Sequence, residues 1–372
     1  MAQSSQGLIC RLRSKFFNAN SEEATTMLIG LYGAGTLGRR IGQCLKLPFV
    51  FVDDTPEKQG ALIDGHQVVT LKEFAERASR EVARLHVTIY QPGFSFARKK
   101  SEIVASFHQL DCRPFTDLIL NEAVEALPFL FLERRDVLER KRERYDRLSA
   151  QFADDLSRQT LEAHLDFRMS GDFEKLIVTP RHDVHFLIQR LPDDVTYVDA
   201  GAFDGDTAEE FAHMSNGRFK QIVLIEPDPA NAARAKQRLE ALGLSGRTIV
   251  HQSAISSTRG TMGFNALGSV GSSLDAHAAT KVQTVLLSDL DIPGPAYFKL
   301  DIEGAEIPAL DACSEYLGHK RVFLGISVYH RPDDLLEAAS IISSLDAGYD
   351  LFLRCHGSGG EDLMLYAVPR GN

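Results

Sequence analysis

Two glycine-rich turns constrain the fold of this chain more than any other feature of its sequence. Each turn follows a short apolar run and precedes a stretch of helical periodicity, and an acidic residue ends the next apolar run. Glycine at these points permits a tight turn and a close approach of the backbone to a ligand. This order is typical of a doubly wound α/β domain. The glycines are Gly33, Gly35 and Gly38 in the first turn and Gly201 and Gly205 in the second.

Chain length and composition favour two domains. A chain of 372 residues with 44% hydrophobic residues exceeds what one hydrophobic core usually serves. Between the halves lies a segment in which acids and bases interleave and apolar residues recur at helical spacing, which predicts a connecting helix with one docked face. We therefore expect a polar leader at 1–24, a Rossmann-like nucleotide-binding domain at 25–126, a helical linker at 127–170 and a second Rossmann-like domain at 171–372.

Charge and hydropathy exclude several classes of partner. The formal net charge of -10 argues against nucleic acid, because phosphate backbones are usually bound by a basic face. No apolar run reaches the length of about 18 residues that a membrane-spanning helix needs. The five cysteines form no C-x-x-C pair, so neither zinc nor a disulfide framework is predicted. We expect a cytoplasmic protein with a small-molecule or saccharide partner, and a homo-oligomer stays open.

The C-terminal half predicts the position of a ligand site. From Val195 onward, five alternations of strand and helix end in a strand pair, which predicts a mostly parallel sheet with one antiparallel strand. Ligands of such sheets bind at the carboxyl ends of the strands. There we expect Asp199 to receive an amino group and Glu226 to accept the hydroxyls of a ribose. The residues expected to contact the cofactor are Asp199, Gly201, Ala202, Phe203, Asp204, Gly205, Glu226, Pro227, Ser253, Ala254 and Asp301.

The glycine turn alone fits S-adenosylmethionine as well as NAD, and four charged motifs separate the two. They are VDAGAFDGDT at 198–207, IEPD at 225–228, FKLDIEGAE at 298–306 and VYHRPDDL at 328–335, followed by LMLYAVP at 363–369. In this order they resemble the FkbM-type methyltransferases that use S-adenosylmethionine. The resemblance implies a Rossmann-like methyltransferase domain that O-methylates a hydroxyl of a saccharide or secondary metabolite. Ser288 departs from the pattern, because relatives often carry an acid before Asp289, and Phe203 stands where other methyltransferases often have glycine.

Methyl transfer to a hydroxyl requires that a proton be removed from the acceptor. His330 is the preferred general base, because its ordinary pKa lies near neutrality and its motif follows a strand. Asp301 and Glu303 are the competing bases, and Lys299 is expected to pair with an acid or to stabilise a developing alkoxide. His330 could instead cap the next helix. No metal site is predicted, since two carboxylates without a third placed ligand are weak evidence.

The N-terminal half carries its own nucleotide signature. Gly33, Gly35 and Gly38 have the G-x-G-x-x-G spacing between a strand and a helix, and Asp53 ends the next strand. Together with FVDDTPEKQG and IDGHQV they loosely resemble the Rossmann-like modules that precede transferases of sugar pathways. NAD(P) or a sugar nucleotide is the expected ligand, bound without chemistry because no tyrosine here has a lysine four positions on. The alternatives are a non-catalytic regulatory protein and an NAD(P)-dependent oxidoreductase.

Overall fold

A computed structural model describes residues 27–89, 94–120, 131–170, 172–265, 273–274, 278–290, 292–345 and 348–371. The chain divides into two compact units, Met1–Leu127 with Ser170–Glu174, and Pro128–Met169 with Lys175–Asn372. The leader predicted at 1–24 lies outside the described residues. Among the helices of the described ranges, none combines the length and apolar character needed to cross a bilayer.

The first unit contains a six-stranded sheet with the strand order β3-β4-β2-β1-β5-β6, in which only β3 is antiparallel to its neighbour. Its strands are β1 Leu28–Tyr32, β2 Phe49–Val52, β3 Leu62–Ile63, β4 His66–Val69, β5 Ala83–Val87 and β6 Cys112–Pro114. Its helices are α1 Thr36–Cys44, α2 Leu71–Ala78, α3 Phe96–Ser106 and α4 Thr116–Leu120. The apolar residues around Leu118 predict a short strand from sequence, and this prediction is wrong, because Leu118 lies in α4. Short apolar runs fit either element.

The second unit is built on a seven-stranded sheet with the strand order β16-β17-β15-β14-β7-β8-β9. Its strands are β7 Thr196–Ala200, β8 Gln221–Ile225, β9 Thr248–His251, β14 Ala296–Leu300, β15 Phe323–Ser327, β16 Tyr349–Cys355 and β17 Leu363–Pro369. Only β17 runs antiparallel to its neighbours, so the predicted mostly parallel α/β sheet with one antiparallel strand is confirmed. β7, β8 and β14 therefore end at one edge, which positions the candidate site.

Helices connect these strands and continue the predicted alternation. They are α5 Arg135–Ser149, α6 Asp155–Ser170, α7 His185–Ile188, α8 Asp206–Met214, α9 Pro229–Ala241, α10 Glu306–Ala312, α11 Ser314–Lys320 and α12 Asp334–Ser344. The segment predicted as a linker contains two helices, α5 and α6, instead of one. Their apolar residues, among them Tyr145 and Leu161, are buried in the same core as the sheet residues Val198 and Phe298. The structure therefore places this segment in the second unit.

A small second sheet was not predicted. It consists of β10 Ala254–Ile255, β11 Gly260–Asn265, β12 Ser273–Leu274 and β13 Lys281–Val285, in the order β10-β13-β11-β12. β11 pairs with β13 in antiparallel fashion. These strands are short and rich in polar residues and glycine, so they lack the apolar runs that indicate a strand in sequence. Ser253 lies between β9 and this sheet, and Ala254 begins it.

Candidate active site

The glycine turn after β7 is held against the end of β14. A Cβ atom on Gly201 would lie 1.8 Å from the backbone oxygen of Asp301, and a Cβ on Gly205 would lie 3.0 Å from Cα of Ala235. Both glycines also have positive φ angles, 78° and 85°. Glycine is therefore required here by packing within the protein as well as by the turn. The result is that the ends of β7 and β14 come into direct contact.

Glu226 ties the glycine turn to the end of β8. One of its carboxylate oxygens accepts the backbone N–H of Phe203 and the other accepts that of Asp228, each at 2.9 Å. Burial raises the pKa of this carboxyl, and the two donors partly oppose the rise. Asp228 in turn accepts the N–H groups of Ala230 and Asn231 and caps α9. A carboxylate oxygen can accept more than one hydrogen bond, so the predicted contact of Glu226 with ribose stays a prediction.

Asp199 is fully buried and is paired within the chain. It accepts a hydrogen bond from the hydroxyl of Thr207 at 2.6 Å, and Nζ of Lys299 lies 3.1 Å from its other oxygen. Lys299 also donates to the backbone oxygen of Gly201 at 3.2 Å. Burial lowers the pKa of Lys299, but Asp199 and Asp301 outweigh burial and raise it. Asp199 thus faces the amino group of Lys299, and its expected contact with an amino group of the cofactor stays a prediction.

His330 lies among three carboxylates. Its Nδ1 is 3.1 Å from Oε1 of Glu306, and its Nε2 is 3.6 Å from Asp301 and 3.5 Å from Glu303. Only 6% of its side chain is exposed. Burial lowers the pKa of His330, but Glu306 and the other two acids outweigh this effect and raise it to about 9. The imidazole is therefore charged at neutral pH.

The neighbouring residues complete this charge network. Glu306 is fully buried, begins α10, and accepts the N–H of Ile302 at 2.6 Å. Asp334 accepts the N–H of Arg331 at 2.7 Å. The side chain that binds the backbone of the loop before α12 is therefore that of Asp334 and not that of His330. Burial, followed by repulsion from Glu306, raises the pKa of Asp334 to about 7. From sequence, Glu306 is interpreted as an acid at the start of a helix, and its contact with His330 has no sequence signal.

Three of these residues could bind a metal ion. Ligand atoms of Asp301, Glu306 and His330 all lie within 4.8 Å of one another. However, Glu306 faces Nδ1 of the imidazole and Asp301 faces Nε2, so a single cation would have to displace one of these pairs. The arrangement is that of an imidazolium between carboxylates. Burial raises the pKa of Asp301, but Lys299 and His330 outweigh this effect and hold it below its ordinary value.

The remaining predicted cofactor residues take different places around the turn. Phe203 has a left-handed backbone with φ of 45°, and the guanidinium of Arg234 lies 5.8 Å from the centre of its ring. Asp204 pairs with Arg238 at 2.6 Å and so binds the turn to α9. Ala202, Ser253 and Ala254 are buried, and Pro227 is partly buried. Glu226 and the turn residues are thus brought together, whereas the carboxylate of Asp204 faces Arg238.

In the first unit, the glycine fingerprint borders a cleft. Gly33 has φ of 111°, and a Cβ on Gly38 would lie 2.1 Å from the backbone oxygen of Gly33. Asp53 accepts the N–H of Ala34 at 3.0 Å and pairs with Lys58 at 2.8 Å. Burial raises the pKa of Asp53, but Lys58 and the N–H donors lower it to about 2. Asp53, at the end of β2, therefore holds the glycine turn in place through its hydrogen bond with Ala34.

Together, the parallel sheet, the glycine turn and the strand-end carboxylates define a Rossmann-like α/β domain with a candidate ligand site at the carboxyl ends of its strands. Residues 199–351 match the family model of the methyltransferase FkbM domain. This match confirms the resemblance of the motifs to the FkbM methyltransferase domain. A comparison with curated protein sequences gives no match.

The chain is similar to several solved structures. The methyltransferase FkbM from Methylobacillus flagellatus KT is 22% identical, with a TM-score of 0.76, over 92% of this chain and 90% of that chain. An rRNA methylase from Streptococcus thermophilus is 16% identical, with a TM-score of 0.33, over 53% of this chain and 99% of that one. A Streptococcus mutans protein in complex with SAH is 14% identical, with a TM-score of 0.33, over 52% and 100%. At these identities the first structure shows the fold alone.

Proposed function

We propose that the C-terminal unit transfers a methyl group from S-adenosylmethionine to a hydroxyl of a saccharide or related small metabolite. The observation that carries the proposal is the cluster of Asp301, Glu303 and His330 at the carboxyl end of the sheet, directly beside the glycine turn. A base beside the donor site is what a hydroxyl acceptor requires, because the oxygen must lose its proton as it is methylated.

The donor set fits this cofactor. S-adenosylmethionine supplies a methyl group activated by a sulfonium cation, and it carries a ribose with two hydroxyls. Asp301 and Glu303 offer negative charge at the end of β14, which suits the sulfonium. Glu226 at the end of β8 suits the ribose, and Phe203 with Arg234 forms a flat surface beside it. These residues would hold the donor, orient it and exclude water.

The charged state of His330 changes the role we propose for it. An imidazolium cannot accept the proton of the acceptor, so we assign proton acceptance to the carboxylates Asp301 and Glu303. Glu303 also has a left-handed backbone with φ of 55°, a strained conformation of the kind found at functional sites. His330 holds these two acids near the methyl group and balances their charge.

Binding and transfer test the proposal separately. Calorimetry on the whole chain should detect binding of S-adenosylhomocysteine. Incubation with labelled S-adenosylmethionine and a panel of glycans should give labelled product. Product made by NAD-dependent oxidation instead, without label transfer, would reject the proposal. Uptake of S-adenosylhomocysteine without transfer to any hydroxyl compound would support the cofactor but contradict the acceptor class.

We also propose that the N-terminal unit binds a nucleotide, NAD(P) or a sugar nucleotide, without chemistry. The observation that favours this is the cleft lined by Gly33, Gly35, Thr36, Asp53 and Lys58 at the start of α1. The positive end of a helix suits a diphosphate. Fluorescence titration with NADH and calorimetry with UDP-glucose test it, and Gly38→Ala should abolish binding because its Cβ would collide with the Gly33 oxygen.

A further inference from the structure

The C-terminal unit contains a cleft of its own, which reaches the candidate active site. Its cavity volume is about 60 Å³, and its lining includes Thr207, Lys299 and Asp301 of the candidate active site. The remaining wall comes mainly from the segment before β7, from α7 and α8, and from β17 with the loop before it. Of these residues, Met364 and Tyr366 lie in the LMLYAVP motif at 363–369, and the others lie in no motif of the sequence.

The polar part of the wall carries both signs of charge. Arg181 pairs with Asp362 at 2.8 Å. Glu210 is partly buried and has no hydrogen bond or ion pair with any residue that the structure describes. Burial raises the pKa of Glu210, which Arg181 opposes. A partly desolvated carboxylate without a partner favours a ligand that brings a positive charge.

His356 is a fixed part of the wall. Its Nδ1 lies 2.7 Å from the backbone oxygen of Thr179, and its Nε2 lies 2.8 Å from the hydroxyl of Tyr366. A carbonyl oxygen only accepts, so Nδ1 carries the proton and Nε2 accepts from the tyrosine. Burial lowers the pKa of His356, which keeps the ring neutral. Recognition of a charged ligand therefore falls to Arg181 and Glu210.

The rest of the lining combines the buried tyrosines Tyr197 and Tyr297 with apolar residues, which are Val184, Leu187, Ile188, Phe211, Met214 and Met364. A cation and an acid above an aliphatic surface suit an α-amino acid. We propose that this cleft binds the amino-acid end of the methyl donor, with Glu210 facing its ammonium group and Arg181 its carboxylate. The inference rests on the proposed function. It also replaces Asp199, which is fully buried and already paired with Lys299, as the acid for that amino group.

Two nucleosides test the inference by binding alone. S-adenosylhomocysteine carries the amino-acid end, and 5′-methylthioadenosine lacks it. The test is calorimetry on the whole chain. Glu210→Gln and Arg181→Met should each lower the affinity for S-adenosylhomocysteine by about 10- to 100-fold, the usual effect of losing a hydrogen bond to a charged group. Their affinity for methylthioadenosine should stay within about twofold of wild type, and Arg181→Lys should retain part of the lost affinity.

Matched controls are Glu240→Gln and Arg218→Met, exposed residues outside the cleft, which should change neither affinity. Variants that bind S-adenosylhomocysteine as wild type does, or that lose both nucleosides equally, would overturn the inference while leaving the proposed function in place. A wild-type chain that binds methylthioadenosine but not S-adenosylhomocysteine would do the same. A wild-type chain that binds neither would overturn both.

Discussion

Nδ1 of His330 lies 3.1 Å from Oε1 of Glu306, a carboxylate with no exposed surface. This pair is formed inside the site, where desolvation alone would favour a neutral imidazole and a neutral acid. The pKa of His330 nevertheless rises to about 9, because Glu306, Asp301 and Glu303 surround the ring. The pair therefore links the electrostatics of the site to the stability of the fold.

The first prediction is a loss of stability at alkaline pH. Because the folded-state pKa of His330 lies above its ordinary value of 6.5, its stabilisation is fully present below pH 6.5 and is lost as pH rises through about 9. The free energy of unfolding should fall by up to about 3 kcal/mol over this window. Urea unfolding at pH 6.5 and 9.5 measures it. In His330→Gln this difference should shrink; an equal difference in the variant would contradict the assignment.

The second prediction concerns Gly201. In Gly201→Ala, the new Cβ would lie 1.8 Å from the backbone oxygen of Asp301, so the two strand ends must separate. We expect a loss of more than about 3 kcal/mol in unfolding free energy, together with loss of nucleoside binding.

Gly217→Ala is the matched control for this substitution. Gly217 has φ of 71°, close to that of Gly201, but nothing lies within 4 Å of its Cβ position. The loss of unfolding free energy in Gly217→Ala should come from backbone strain alone and amount to about 1 to 2 kcal/mol. Equal losses in the two variants would show that strain, and not the contact with Asp301, makes glycine necessary at position 201.

These residues show what the sequence could and could not predict. The places of Gly201 and Glu226 at the strand ends could be predicted, because a positive φ demands glycine and parallel strands bring their carboxyl ends to one edge. The charge of His330 was not predictable, since it depends on Glu306, which lies 24 residues away in the chain. Arg181 and Glu210 were missed for the same reason: only the packing of α7 and α8 brings them to one cleft.

The third prediction separates catalysis from binding. Asp301→Asn and Glu303→Gln should each lower kcat for methyl transfer by about 10²- to 10⁴-fold, the usual contribution of a general base. Their affinity for 5′-methylthioadenosine should change little. Glu315→Gln, in α11 and outside this cluster, serves as the control and should keep full activity. If neither of these substitutions lowers kcat while His330→Gln does, the proton acceptor is His330, as the sequence predicts.

The fourth prediction concerns a buried ion pair that supports the loop after His330. Arg168 pairs with Glu133 at 2.6 Å and donates to the backbone oxygen of Pro332 at 3.2 Å; both side chains are at most 8% exposed. Arg168→Met leaves Glu133 desolvated, with Lys141 as its one remaining ion-pair partner among the residues that the structure describes, so unfolding free energy should drop by about 3 kcal/mol. The exposed pair of Arg147 and Glu143 offers a control, because Arg147→Met should cost less than about 0.5 kcal/mol. The double variant Glu133→Gln with Arg168→Met removes the uncompensated charge, and urea unfolding should show it to be more stable than Arg168→Met alone.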